Sequence, residues 1–280
     1  MPEGPEIRQA ADKVAAVLES EVVLRASFSP HKLRHYGPRL SGHAVNKIDT
    51  RGKAMLTHFD NGLTIYSHNQ LYGVWKVVLA GVLPKTNRSL RLALHTENHS
   101  ALLYSASDIS VWHTSELSNH PFLSQLGPDI LDERATVGSV ARRLMHKPFK
   151  NRTLHSILLD QKFMAGVGNY LRSEILFSAR LSPELRPREL NTSTLKLLAS
   201  EILNISRRSY VSKGITLCPE FLAKLNKKKS PGTRQRFYVF GREGKPCRVC
   251  EDVIQRKDSS GRRIYWCRNC QNGDGHVESL

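Results

Sequence analysis

At 280 residues the chain has room for about two domains of ~100 to 200 residues each, with a real core in each. Hydrophobic residues make up 40% and charged residues 24%, an ordinary globular balance that excludes a disordered or collagen-like chain. No run approaches the ~18 to 20 apolar residues of a membrane span, and Glu3 and Glu6 stand where a signal peptide would carry positive charge, so no membrane partner is expected and the chain should act in the cytoplasm or on the nucleoid. Forty-two Lys and Arg against 25 Asp and Glu leave a net charge of +17, which calls for an anionic partner, nucleic acid first.

From Pro5 to Leu18, Ile7, Ala10, Ala11, Val14, Val17 and Leu18 recur at threes and fours, the period of an amphipathic helix. From about Val22 to Val111 the pattern changes to short runs with period-two stretches, such as Leu90, Leu92 and Leu94 alternating with Arg91, Ala93 and His95; this predicts antiparallel sheet folded as a sandwich or barrel. Ala54 to Phe59 and Leu63 to Ser67 flank Asp60-Asn61-Gly62 and should pair as a hairpin. Leu126-Gly127-Pro128-Asp129 reads as a hinge, after which helical segments follow near 136–146, 153–162, 168–179 and 193–206. Between Arg207 and Arg248, twelve Lys or Arg stand against Glu220 and Glu243, and Lys227-Lys228-Lys229-Ser230-Pro231-Gly232 reads as a mobile basic loop, or equally as a solvated charge run.

Cys247-x2-Cys250, sixteen residues, then Cys267-x2-Cys270 has the spacing of a zinc site in which each pair aims two thiolates at one tetrahedral centre. Val253-Ile254 and Ile264-Tyr265-Trp266 should form a β-hairpin between the two pairs, and Arg256, Lys257, Arg262 and Arg263 on it are suited to phosphates. Four thiolates leave no open position, so the one zinc would be structural and catalysis would need no metal. Cys218 reads as an ordinary small side chain.

The chain begins Met1-Pro2-Glu3-Gly4-Pro5-Glu6-Ile7. Removal of Met1 would leave Pro2 as a secondary α-amine with a pKa of ~7.7 to 8.0, partly neutral at physiological pH and so a potential nucleophile. By itself, Pro2 is more readily a helix-start residue. Gly166-Val167-Gly168-Asn169 should turn into a helix whose first N–H groups suit a phosphate, or make an ordinary cap.

Taken together and in order, MPEGPEIRQA, TRGKAMLTHF, YSHNQLYGVW, GVGNYLRSEILF and the two CxxC pairs resemble the endonuclease VIII branch of the formamidopyrimidine-DNA glycosylase family, nearly end to end. The resemblance implies an α+β protein of two domains: an N-terminal antiparallel β-sandwich with an N-terminal helix, and a helical helix-two-turn-helix domain ending in a β-hairpin zinc finger. Its boundaries here would be 1–126, a hinge at 127–135, 136–236 and a finger at 237–271. It implies double-stranded DNA with damaged bases or abasic sites as the partner of a monomer. Pro2 would attack C1′ of the damaged nucleotide and lead through a Schiff base to β- and δ-elimination. Glu3 would be the catalytic carboxylate, Lys53 a phosphate contact and acid, and Arg262, or its neighbour Arg263, the finger arginine. Gln70, Leu71 and Tyr72 would fill the gap left by an extruded base, with core packing the alternative for the apolar pair and for Trp75. Asn169 would contact DNA. Gln125 stands where the family pattern carries an Arg, and Glu174 reads as a structural partner for backbone N–H groups or an Arg rather than a catalyst.

The resemblance favours oxidised pyrimidines such as thymine glycol. Against it stand an oxidised-purine glycosylase of the same family and a non-catalytic zinc-ribbon DNA-binding protein, whose charge would serve phosphate contacts alone.

Overall fold

The computed structural model describes residues 2–226, 235–259 and 261–272. The basic run at 227–232 lies outside them. The chain forms two compact units that part between Leu126 and Gly127.

The first unit opens with α1, Gly4–Leu18, whose N-cap is Glu3. The Glu6 carboxylate accepts the Glu3 backbone N–H at 3.0 Å and closes a capping box, which satisfies donors that a helix start leaves exposed. Ile7, Ala11, Val14 and Leu18 form one buried stripe. The strands are β1 Val22–Val23, β2 Arg25–Phe28, β3 His43–Arg51, β4 Ala54–Phe59, β5 Leu63–His68, β6 Val74–Leu79, β7 Leu90–His95, β8 His99–Tyr104 and β9 Asp108–His113, with a short helix α2, Tyr36–Leu40, before β3. They make two antiparallel sheets, β1-β3-β4-β5-β9 and β2-β7-β8-β6. Val45, Ile48, Met55, Phe59 and Ile65 of the first meet Trp75, Leu92, Leu94 and Leu103 of the second in one core that also takes the α1 stripe, which makes the unit a sandwich. Trp75 is therefore a core residue.

The Asp60-Asn61-Gly62 hairpin forms as expected, with Thr57 opposite Ile65, Gly62 at φ +77°, and Asn61 Oδ1 accepting from Leu63 N–H at 3.1 Å. The alternation in β7 breaks at its start. The register shifts between Leu90 and Leu92, so Leu90 joins Ala93, Leu102 and Tyr104 on the outer face while Leu92 and Leu94 face the core. Arg91 occupies the bulge, and its Nε donates to Ala106 O at 3.0 Å.

The second unit contains α3 Val137–Leu144, α4 Leu154–Ile157, α5 Asn169–Ser178, α6 Thr192–Val211, α7 Pro219–Asn226, β10 Ile254–Ser259 and β11 Arg262–Cys267. The stretch read as a hinge begins inside this unit: Gly127 N–H donates to Gln161 O (2.9 Å), Ala165 N–H to Pro128 O (2.8 Å) and Ile130 N–H to Ala165 O (3.1 Å), and Ile130 is buried. Helix α4 is one turn, shorter than its periodicity predicts. After it Asp160 N–H donates to Ile157 O and Phe163 N–H to Asp160 O, two successive turns that carry the chain to α5, with the Asp160 carboxylate held by Arg152 at 2.6 Å. No helix among the described residues is long and apolar enough to cross a membrane.

Helices and finger share one unit because α5 is tied to both. Glu174, fully buried, accepts the backbone N–H groups of Tyr238, Val239 and Phe240 and the Thr216 hydroxyl at 2.5 to 2.9 Å. Burial pushes this carboxyl upward while the four donors oppose it. Glu174→Gln leaves an amide facing N–H donors, so we expect a loss of about 2 to 4 kcal/mol. For a unit of this size that lowers the melting temperature by roughly 5 to 15 °C, measurable by calorimetry.

Candidate active site, nucleic-acid interface and metal centre

In the first unit, half-buried Pro2 leads into Glu3, which is 2% exposed at the mouth of α1. A carboxylate is rarely so enclosed. Lys53 follows Gly52 in the turn between β3 and β4 and is 8% exposed, so it is not the strand-end surface lysine its sequence position alone suggests.

The stretch 69–73 between β5 and β6 is a fastened loop. Asn69 is buried, and its carbonyl accepts Gly73 N–H at 2.7 Å. Gln70 sits at φ +49°, a left-handed conformation that costs a non-glycine residue about 1 to 2 kcal/mol. Its N–H donates to His68 Nδ1 at 3.1 Å and its Oε1 accepts from Ser107 Oγ at 2.6 Å, while Arg88 donates to Tyr72 O. Leu71 and Tyr72 consequently stand 60% and 70% exposed, which excludes the core reading for both. Gly73 has no room for a side chain, since a Cβ there would lie 2.6 Å from Asn69 Cα.

Beneath the loop lies a patch of titratable and aromatic groups. Tyr66 Oη donates to Asp108 at 3.4 Å, and burial, with that carboxylate, raises its phenol. His120 lies 4.1 Å from the Tyr66 ring and 5.0 Å from Trp112; its Nδ1 accepts the N–H groups of Phe122 and Leu123, and burial lowers its pKa. His68 packs edge-on against Phe122 at 5.5 Å. Burial holds His68 below the usual histidine range, opposed by Asp108 and aided by Lys53, which places Lys53 and the loop in one electrostatic neighbourhood. Gln125, in the short turn Leu123–Gln125, donates its amide to Pro121 O at 3.0 Å.

In the second unit Gly168 caps α5 and Asn169 is its first residue. Gln161 joins the preceding turns to this start: its Nε2 donates to Leu159 O and Val167 O, and its Oε1 accepts Gly166 N–H. Arg172, 1% exposed, donates to His155 O, to Asn169 Oδ1 at 3.4 Å and to Arg263 O at 2.9 Å. In the hairpin, Arg262 pairs with Ser259 and Arg263 with Asp258. Both arginines are exposed, but Arg263 Nε lies 3.7 Å from the Asp258 carboxylate while Arg262 makes no ion pair among the described residues.

Cys247, Cys250, Cys267 and Cys270 bring their sulfurs within 4.8 Å of one another. The Cys247–Cys270 and Cys250–Cys267 sulfurs are 3.8 and 3.4 Å apart, close to the ~3.8 Å edge of a tetrahedron with zinc–sulfur bonds of about 2.3 Å. Val249 N–H donates to Cys247 Sγ and Cys270 N–H to Cys267 Sγ, which helps disperse thiolate charge. The set suits a zinc finger. Cys218, apart from it, accepts from Tyr238 Oη at 3.4 Å.

Two family models match, the formamidopyrimidine-DNA glycosylase N-terminal domain over residues 1–107 and the H2TH domain of the same enzymes over 126–218. The endonuclease 8 of Klebsiella pneumoniae subsp. pneumoniae is 47% identical over 272 residues, 97% of this chain and 100% of that protein. The chain belongs to the formamidopyrimidine-DNA glycosylase family, in its endonuclease 8 branch. The endonuclease 8 of Salmonella agona is 45% identical over 271 residues with the same coverage. Among solved structures, Lactococcus lactis formamidopyrimidine-DNA glycosylase bound to DNA with an abasic site matches with a TM-score of 0.78 at 18% identity, covering 96% of this chain and 99% of that one. The same enzyme bound to DNA with an oxidised pyrimidine gives 0.77, over the same shares. Both share the fold. As a member of the family the chain is a DNA glycosylase of base excision repair with lyase activity at abasic sites.

His68, Ser107, Arg88, Gln161 and Arg172 escape a residue-by-residue reading of the sequence. His68 was within reach, since it continues the face of Thr64 and Tyr66 to the end of β5 beside the loop. For Gly73→Ala we expect a displaced loop, faster proteolysis at 70–73 and a loss of about 1 to 3 kcal/mol, with the sandwich otherwise folded by circular dichroism.

Proposed function

We propose that the chain excises oxidised pyrimidines from double-stranded DNA through an amine intermediate on Pro2. With Met1 removed, the neutral amine attacks C1′ and the glycosidic bond breaks, its electrons leaving with the base. Glu3 protonates the sugar ring oxygen as C1′–O4′ opens to give the iminium. Loss of a C2′ proton expels the 3′ phosphate, a second elimination expels the 5′ phosphate, and water releases the sugar remnant, leaving a one-nucleotide gap. Lys53 serves as phosphate contact and acid, and Arg262 steadies the departing phosphates. The observation that carries this reading is the enclosure of Glu3 directly after a potential amine nucleophile, in a family of DNA glycosylases.

In this reading Leu71 and Tyr72 fill the gap while the Gln70 amide, on leaving Ser107, meets the orphaned base. Asn169 and Arg262 bind phosphate, the latter supported by its making no ion pair among the described residues. Gln125, already bonded to Pro121, makes a weaker contact than an Arg. The four cysteines hold one structural zinc that secures the hairpin carrying Arg262; all four of its positions are filled by sulfur, so it activates no water.

Borohydride reduction in the presence of a thymine-glycol duplex and chelator should leave a covalent adduct on Pro2, mapped by mass spectrometry. No adduct on this duplex or an abasic one, from protein lacking Met1, would leave a DNA-binding protein. Glu3→Gln should lose base excision by roughly a hundredfold or more, the scale of a lost general acid, yet keep duplex affinity. Release of 8-oxoguanine opposite cytosine with little action on thymine glycol would move the preference to purines. Cys250→Ser should lose zinc and bind DNA weakly, and a zinc-free variant with full affinity would make the finger dispensable.

A further inference from the structure

A loop that offers Leu71 and Tyr72 to solvent must resist folding them back onto the sandwich, and the residue that sets their direction is Gln70. Its left-handed backbone is one that Gly, Asn or Asp adopts readily and Gln does not, so the conformation depends on the bonds made to it. Two act on Gln70 itself. The Ser107 hydroxyl reaches the side chain, the part that must let go to meet a base. The backbone N–H donates to His68 Nδ1, through a lone pair that exists only while that nitrogen carries no proton.

The surroundings of the ring come from three elements. The Asp108 carboxylate on β9 favours a proton on it, Lys53 from the β3–β4 turn disfavours one, and the edge-on Phe122 ring covers it; Tyr66, the next residue on the same face of β5, is bonded to Asp108. Burial exceeds the Asp108 attraction, so the ring is neutral at physiological pH.

Resting on the gap-filling reading of Leu71 and Tyr72, we propose that His68 is the positioning residue of this loop: its Nδ1 lone pair holds Gln70 in the left-handed conformation and so aims both side chains at the duplex. Protonation turns Nδ1 into a donor facing another donor and releases the loop. Because the ring is harder to protonate in the fold than in the open chain, this support is complete above the ordinary histidine range near pH 6.5 and is lost as pH falls through the lowered value. Insertion of the loop is thereby gated by acid, independently of the Pro2 amine.

Two variants separate the ring nitrogens. His68→Asn places an amide oxygen where Nδ1 lies and cannot titrate, whereas His68→Gln reaches the outer nitrogen and offers nothing to Gln70 N–H. The readout is the fluorescence of 2-aminopurine beside the lesion, which rises as the base stack opens, together with excision rate and borohydride capture on an abasic duplex. At neutral pH we expect the Gln variant to lose roughly threefold to tenfold in opening and excision, the scale of one hydrogen bond, while the Asn variant stays near wild type. As the pH is lowered stepwise below the ordinary histidine range, wild type should lose the opening signal and the Asn variant should keep it. Covalent capture on the abasic duplex should survive in both variants. Rescue by Gln and not Asn, equal behaviour of both variants, or the same acid loss in the Asn variant would overturn the proposal. Absent capture with wild type would instead overturn the amine chemistry, and the opening signal would still decide the role of His68.

Discussion

The Glu174 carboxylate has no water to lean on. Enclosed on α5, it must find every hydrogen bond from protein, and it finds four: three consecutive N–H groups at Tyr238 to Phe240 and the Thr216 hydroxyl. In a low-dielectric interior such bonds are strong when complete and expensive when broken. They hold the segment that leads into Cys247 against the helix. The same helix starts at Asn169 and, one turn later, sends the buried Arg172 to the carbonyl of Arg263 in the hairpin. One helix thus sets its own start at Asn169, the arginine-bearing hairpin and the entry to the cysteine cluster. Buried ion chemistry achieves this because its geometry is narrow, whereas apolar packing tolerates sliding.

The sandwich meets the opposite demand, keeping apolar side chains in water. Leu71 and Tyr72 would gain by folding back onto the sheet, at about 25 cal/mol per Å² covered. Opposing that are a backbone conformation chosen by His68, a turn closed between Asn69 and Gly73, and a side chain held by Ser107. The loop spans β5 and β6, strands of different sheets, so its ends are anchored in both layers. Rigidity here reduces the ordering cost of binding, because the exposed pair is already positioned.

Much of this was legible in the sequence. The α1 stripe, the Asp-Asn-Gly hairpin, an antiparallel sandwich or barrel and the paired CxxC motifs follow from period, turn chemistry and ligand spacing, and the family resemblance implied the sandwich. Where the reading slipped, a local feature was overridden by a distant one. Leu90 left the face of Leu92 because a bulge flips the side on which it emerges. Helix α4 stopped after one turn because Asp160 and Gln161 offered the chain alternative bonds. At Leu126-Gly127-Pro128-Asp129, where the two units part as the sequence suggests, Gly127 and Ile130 find carbonyl partners in the second unit.

By itself the sequence determined the charge, the two-unit plan and the four-sulfur site, since these depend on residue types and short spacings along the chain, and its resemblance to the family supplied the candidate residues. Tertiary structure alone decided which of those residues are enclosed and which face solvent. It buried Glu3 and Lys53, exposed Leu71 and Tyr72, separated Arg262 from the ion pair that Arg263 makes, and placed a histidine lone pair under Gln70. Burial and hydrogen-bond partnership join residues tens of positions apart, through packing that no local spacing encodes.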